Sequence, residues 1–573
     1  MRNLTAKDRL THRIRSSVPP LTALLLCFTH TLCLSANESV KISVTVQGDG
    51  TPGLGDRQIG VIRIPLRETP DGKTIALTKP EIFAATQQPT LIRPLGSSFK
   101  VALQSGKQVL FAFCDSNRNG RWDPAVPEAI GWYTASPSGR PSAIDSRTRP
   151  ANKLTIKLSA PHPMPTSARF GASSLKKLKG YTVVHLKGDA EARGLAHGRL
   201  LAPQIIDFFR FYILEDKFGG AQIYENGFAK FLHSNFRYPT GYQTECKAVI
   251  RGMNESGCEM YIPELGRDFR LTDLYAISGY IETRAMRSSC TQFAAWGDRT
   301  LDTDVAGGMI TGRNMDGEID LRKVTVSHFV LFAVEPTEPN QKKYISMMWP
   351  GFVATISGLN EDGFYAMENA GLTGPGKTVQ DMVHFSWTMR EALATFGPDT
   401  KPKQMQELVD SFDNSAGGSC GPGCITLFAT PYTGQSSPAY ILEGDRFGDA
   451  MRTDSEVFPY VPQALVASNH HRKYGVATRD SSLVFGKSIS FSSRWRYEAG
   501  SHKLDSWYRF GKTIGTEQMR ELLQTVAHGT TEYSIITRPN AREFDVAIAS
   551  MKAEPWDAPY RKWTSFQFSE LFP

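Results

Sequence analysis

The chain has 573 residues, too many for one ordinary domain, so two or three are expected. It is 40% hydrophobic and 21% charged with a mean hydropathy of -0.30, the composition of a soluble globular protein. The formal charge of +8 has a local source: Arg2, Lys7, Arg9, Arg13 and Arg15 outweigh Asp8 within residues 1–36. No dense Lys/Arg block follows, which argues against a nucleic-acid partner.

Residues 1–36 read as a secretory signal. A basic stretch precedes the apolar run Leu21 to Phe28, and small residues close it at Leu34-Ser35-Ala36. The apolar part is too short and too interrupted for a bilayer span, so no stable membrane insertion is expected; an uncleaved anchor is the alternative. The expected address is secreted or extracytoplasmic. Of eight cysteines, Cys27 and Cys33 leave with the signal. In an oxidising compartment Cys246 with Cys258, and Cys420 with Cys424, are expected as disulfides. Half a zinc site is the rival for Cys420 and Cys424, but no second pair completes it. Cys114 and Cys290 remain unpaired.

Residues 37–158 predict a small β-sandwich: Ile42, Val44 and Val46 alternate, and Gly60 to Ile64, Val109 to Phe113 and Leu154 to Leu158 are further strands. Within them, Asp115, Asn117, Asn119, Gly120 and Asp123 match the start of an Asp-x-Asn-x-Asn-Gly calcium loop. Val126 occupies the twelfth position, and Glu128 is the candidate substitute. Bound calcium would be structural; the alternative is an Asn/Gly turn held by its own side chains. Residues 159–179 read as a linker. From Gly180 a strand over Tyr181 to Lys187 precedes an amphipathic helix, Glu191 to Ile213, kinked or split at Pro203. The chain stays mainly helical to Arg287. Beyond Cys290 it is β-rich, with helices near 379–396 and 403–412. A third begins at Thr516 as N-cap, with Met519, Leu522, Leu523 and Val526 on one face and Gly529 ending it.

The chemistry centres on Cys290, in Ser288-Ser289-Cys290-Thr291-Gln292-Phe293. Twenty-one residues later comes Thr311-Gly312-Arg313-Asn314-Met315-Asp316. Two adjacent antiparallel strands would return Arg313 and Asp316 beside Cys290. A thiol is a nucleophile only as thiolate, and its ordinary pKa of about 8.5 leaves it mostly protonated at neutral pH, so a base is required. Together with Gly358 to Gly371, Val466 to His470, Ser492 to Arg496 and Glu191 to Gly198, these segments resemble the acyl-CoA:6-aminopenicillanate acyltransferase family of cysteine N-terminal-nucleophile (Ntn) hydrolases. Penicillin V acylases and bile-salt hydrolases are more distant in resemblance.

The resemblance spans roughly 180–573 and implies an α+β fold, an αββα four-layer sandwich behind the small all-β domain. It implies self-cleavage at Ser289–Cys290 into an α/β heterodimer of residues 180–289 and 290–573. Cys290 would then be the nucleophile and its freed α-amine, of ordinary pKa about 7.7–8.0, the base. By the same resemblance Arg313 faces the thiolate, Asp316 holds the amine, Asn369 and Asn469 are oxyanion and active-site amides, and Arg494 is the late arginine, with Arg496 next. The implied substrate is a small N-acyl compound with a linear amide, opened through an acyl-thioester without a cofactor. His197 takes no catalytic role. Two alternatives stand beside this: an inactive, calcium-stiffened binding protein, and a Cys–His thiol protease using His470 or His471, which read as solvated loop residues.

Overall fold

The computed structural model describes residues 41–48, 57–69, 74–75, 85, 89, 91–96, 98–123, 128–135, 141–148, 153–282, 290–317, 320–371, 379–421, 423–474, 491–527, 529–550 and 555–573. The expected signal, Ser289 and Val126 lie outside them. Helix and sheet are mixed, with strands predominating before residue 190.

Between residues 41 and 158 two sheets form. One orders Lys153–Leu158, Lys41–Gly48 and Ser98–Ala102; the other orders Leu91–Pro94, Gln58–Pro65, Lys107–Asp115 and Ile130–Trp132. The alternation of Ile42, Val44 and Val46 has the expected consequence: all three are buried, in one cluster with Ile59, Val61, Leu110 and Ile156. A second cluster, around Phe111, Trp122 and Trp132, also receives Leu321 from the remainder of the chain. The next residue, Arg322, donates to Ile130 O at 3.0 Å and Ser159 O at 2.6 Å and pairs with Glu215 at 2.9 Å.

The expected linker is partly ordered sheet. Ser167–Phe170 and Ser173–Leu178 are the first two strands of a ten-stranded sheet that continues through Tyr181–Gly188, Val330–Pro336, Tyr344–Met348, Ser357–Asn360, Tyr365–Ala370, Gly423–Ala429, Ala439–Asp445 and Gly448–Arg452. Gly171 turns the hairpin at φ +57°, and Leu175 packs into the main core, which is why these residues do not run free. A six-stranded sheet orders Ala464–Ala467, Thr291–Ala295, Ile310–Asp316, Thr531–Arg538, Glu543–Ile548 and Thr564–Gln567. In Gly423–Ala429 and Ile310–Asp316 every residue is buried, as in strands covered on both faces.

Helix Ala190–Asp207 contains Pro203 and breaks helical geometry at Leu201 (φ -134°, ψ 16°), where the proline ring and its missing N–H disrupt the ladder. A π-helix, Phe208–Lys217, follows. Ala190–Asp207 crosses Thr240–Glu255 at backbone distance: a methyl on Gly194, Gly198 or Gly252 would lie 2.2, 2.1 and 2.3 Å from the facing carbonyl oxygen. The two central helices of the later region are Phe385–Thr395 and Pro402–Asp410. Thr516–Thr525 is capped by Gly515, one residue before the expected N-cap, and Met519, Leu522 and Leu523 are buried together against Phe293 and Ile536.

One expected disulfide forms and the other does not. Cys420 and Cys424 are bonded. Cys246 and Cys258 are both free. Cys246 lies within helix Thr240–Glu255, fully buried in the main core, while Cys258 comes after the helix has ended. Closeness in sequence does not bring the two sulfurs together here.

Candidate active site

Cys290 stands at the start of strand Thr291–Ala295, which lies between Ala464–Ala467 and Ile310–Asp316. The thiol is buried, 2% exposed. The return strand pairs Gln292 with Arg313 and Thr291 with Asn314, so the expected antiparallel geometry brings Arg313 beside Cys290. Its Nη2 lies 3.5 Å from Cys290 Sγ. The same guanidinium is held from the ten-stranded sheet: it donates to Ile356 O (3.0 Å), Ser357 Oγ and Glu368 O (2.5 Å), and lies 3.5 Å from Tyr533 Oη. Arg313 therefore bridges the two sheets at the thiol. Burial pushes the Cys290 thiol up, and the Arg313 charge opposes that rise. Met315 Sδ is 3.5 Å from the same sulfur.

Pairing with the next strand slips between Met315 and Asp316, an irregularity of the kind that re-aims a side chain. The Asp316 carboxylate accepts from Thr531 Oγ1 at 2.5 Å and lies 3.9 Å from Arg496 Nη1. Asn469, just past strand Ala464–Ala467, accepts from Cys290 N at 2.8 Å and donates to Ala370 O at 2.8 Å. Asn369, on strand Tyr365–Ala370, directs its Nδ2 to Ser468 O (3.1 Å) and Cys290 O (3.4 Å). Its Oδ1 accepts from Gln292 Nε2 at 2.6 Å. Cys290, Arg313, Asp316, Asn369 and Asn469 thus converge.

Arg494 does not. It is 63% exposed on helix Phe491–Arg509 and pairs with Glu498 one turn on. Arg496 occupies the site instead. Fully buried, it donates to Cys290 O and Thr291 Oγ1 (both 2.6 Å) and to Asn469 Oδ1 (2.9 Å). Two residues advance an α-helix by about 200°, so only one of these arginines can face the sheet. The histidines also depart from expectation. His470 and His471 are buried, not solvated. His470 Nδ1 meets Ser493 Oγ (2.8 Å) and Ser468 Oγ (3.1 Å), and burial pushes its pKa down to about 3. Among the described residues no histidine hydrogen-bonds Cys290. His197 receives the Gly351 N–H and packs on Phe332, a structural place.

Gln292, Thr531, Ser357 and Tyr533 were not foreseen. Strand alternation could have found Gln292, two residues past Cys290 and on its face. The others come from distant strands and carry no local signal.

The calcium-loop residues are turned inward on their own loop. The Asp115 carboxylate accepts from Asn119 N (3.0 Å) and Gly120 N (2.8 Å), Asn117 and Asn119 each accept from a backbone N–H two residues on, and Asp123 Oδ2 accepts from Asn117 Nδ2 at 3.4 Å. Glu128 accepts from Ser116 N and Oγ. Elsewhere Asp410, Asp413 and Asp449 bring carboxylates together, and Gln406 bridges the first and last.

No protein-family model matches the chain, and no curated protein matches it. Among solved structures it is similar to a Caenorhabditis elegans N-acylethanolamine-hydrolyzing acid amidase ortholog: 13% identity, 44% of this chain, 93% of the other, TM-score 0.30. It is also similar to conjugated bile acid hydrolase from Clostridium perfringens (12% identity, 48% of this chain, 96% of the other, TM-score 0.29). Penicillin V acylase from Agrobacterium tumefaciens aligns at 11% identity over 48% of this chain and 90% of its own, with a TM-score of 0.26.

Proposed function

We propose that this chain is a self-processing cysteine hydrolase or acyltransferase of the N-terminal-nucleophile type, acting on the linear amide of a small N-acyl compound. One observation carries this: the nitrogen of Cys290, not a histidine, holds the organised polar environment. Asn469 accepts from that nitrogen, Arg496 anchors Asn469, and Asp316 stands behind Arg496. A base at that nitrogen needs a free amine, hence a cut before Cys290.

In maturation the thiol attacks the Ser289 carbonyl; the sulfur–carbon bond forms, the carbon–nitrogen bond breaks, and the thiol proton passes to the departing nitrogen. Water then opens the thioester, leaving a Ser289 carboxylate, a free thiol and the Cys290 amine. In turnover the amine takes the thiol proton and the thiolate, facing Arg313, attacks the substrate carbonyl. Asn369 Nδ2 donates to the developing oxyanion, the amine product leaves with the proton, and water or a second amine releases the acyl group from Cys290. Burial of Cys290 suits an uncut precursor.

The finer architecture belongs to this proposal: a four-layer αββα sandwich over 180–573 behind a small all-β unit. Supporting it, side chains of the two large sheets meet at Cys290, helix Phe385–Thr395 lies on the larger sheet, and helices Phe491–Arg509 and Thr516–Thr525 lie on the smaller. An extracytoplasmic address, read from residues 1–36, favours water as acceptor, since acyl-CoA donors are cytosolic. Calcium at Asp115 to Glu128 is proposed as a stiffener of the β unit, outside the chemistry.

Intact mass and N-terminal sequencing, beside Cys290→Ala, test the proposal. Wild type should give a fragment beginning Cys-Thr-Gln-Phe, and the variant should stay whole. An uncut wild-type chain removes the amine and sinks it.

A further inference from the structure

A primary amide has donor and acceptor ends of nearly equal shape, so a buried asparagine can sit either way round. Asn369 is useful to an oxyanion only with its NH2 end toward Cys290. Backbone carbonyls surround that end: Ser468 O at 3.1 Å, Cys290 O at 3.4 Å and Ala467 O at 3.5 Å. The other end, Oδ1, meets a side-chain donor, Gln292 Nε2, at 2.6 Å. Gln292 is itself oriented, because its NH2 lies between two acceptors, Asn369 Oδ1 and Ile425 O (3.4 Å). Its own Oε1 is left buried without a partner among the described residues. A residue that merely filled space here would do better as an apolar side chain, since an unsatisfied buried acceptor is destabilising. The position bears that cost while its NH2 makes a short bond to Asn369 Oδ1 and a longer one to Ile425 O.

We infer that Gln292 is a positioning residue, fixing the Asn369 amide with its NH2 toward the reacting carbonyl. This rests on the reaction proposed above and adds how its oxyanion donor is set.

The test follows the chain's own cut at Ser289–Cys290 in freshly synthesised full-length protein, so no external substrate is needed. Gln292→Met keeps the shape and removes the donor; the cut should slow about 10- to 100-fold, against the 10²- to 10³-fold typical of losing an oxyanion donor outright. Gln292→Glu supplies a pH signature. As a carboxylate the new side chain presents an acceptor to Oδ1 and turns Asn369 over; as a carboxylic acid it donates again. The rate of this variant relative to wild type should therefore recover as pH falls through the titration of the introduced carboxyl, which a packing role would not produce. In an Asn369→Ala background, Gln292→Met should slow the cut no further. Wild-type rates in Gln292→Met, a pH-independent defect in Gln292→Glu, or a full further loss in the double variant each overturn the inference while the reaction stands. Wild-type speed in Asn369→Ala overturns it as well. A wild-type chain that never cuts overturns the parent reaction and Gln292 with it.

Discussion

Arg494 and Arg496 make a sharp pair, because two positions separate a surface contact from a buried one. Replacing Arg496 with Met removes four charge-assisted hydrogen bonds, to Cys290 O, Thr291 Oγ1, Asn469 Oδ1 and Ser492 Oγ, and takes the cation away from Asp316 at 3.9 Å. Hydrogen bonds to charged groups contribute about 1.5–3 kcal/mol each, but they are not additive, and Met returns some apolar packing. The better guide is the loss of one partner from a buried ion pair, about 3–5 kcal/mol, because Asp316 keeps its place without its countercharge. Replacing Arg494 removes an exposed pair with Glu498, worth about 0.3–0.5 kcal/mol. Guanidinium unfolding in a Cys290→Ala background keeps the chain whole and isolates stability from cutting. The expected destabilisation is about 3–5 kcal/mol for Arg496→Met and under about 0.5 kcal/mol for Arg494→Met. With Cys290 restored, the first should also fail to cut and the second should cut normally. Equal losses at the two positions, or less than about 1 kcal/mol at Arg496, would refute the assignment of Arg496 to the site.

Gly198→Ala should cost about 1–3 kcal/mol or more, because its methyl meets the Val249 carbonyl oxygen at 2.1 Å, and backbone on a packed helix cannot step aside; an unfolding midpoint equal to wild type would contradict the helix crossing. Thiol titration of the denatured, unreduced chain without its first 36 residues should count four free cysteines, rising to six after reduction; two before reduction would restore the Cys246–Cys258 bond. Stability should fall on both sides of neutrality. Burial holds His197 down to about 4 and His384 and His470 down to about 3, so the stability they contribute is present above pH 6.5 and lost as pH falls toward those values. Burial raises Glu368 to about 8 against the opposing charge of Arg313, so its contribution is complete below pH 4.5 and lost as pH rises through 8. Glu368→Gln should flatten the alkaline limb by about 2 kcal/mol in denaturant titrations at about pH 6.5 and 9.5, and an unchanged limb would be evidence against the buried acid.

What could be read from sequence divides along physical lines. Arg313 came from the resemblance, and its place depends on a local geometry: the turn between Ala295 and Ile310 is enough to set Gln292 opposite Arg313. Asn369 and Asn469 came from motif alone, and the structure puts both on the Cys290 backbone. Resemblance carried the late arginine to the right helix but not to the right face, since a motif gives residue types and a helix gives phase. Cys246 misled for a similar reason. Its spacing from Cys258 suggested a loop, while the apolar face of Thr240–Glu255 had already committed it to the core.

The partners of Arg313 show where local reading ends. The guanidinium belongs by sequence to the strand beside Cys290, yet its hydrogen bonds go to Ile356, Ser357 and Glu368 on the other sheet, and its ring contact is Tyr533. Asn369 crosses the same gap in the opposite direction, from the large sheet to the Cys290 carbonyl. The charge beside the thiol and the placement of the Asn369 amide are therefore both set by how the two sheets seat on each other. A substitution that shifts the sheets, far from Cys290 in sequence, should impair the cut through both groups at once, whereas one at Gln292 should act through Asn369 alone. That difference follows from which side of the gap each group is anchored, and no pattern confined to the residues around Cys290 contains it.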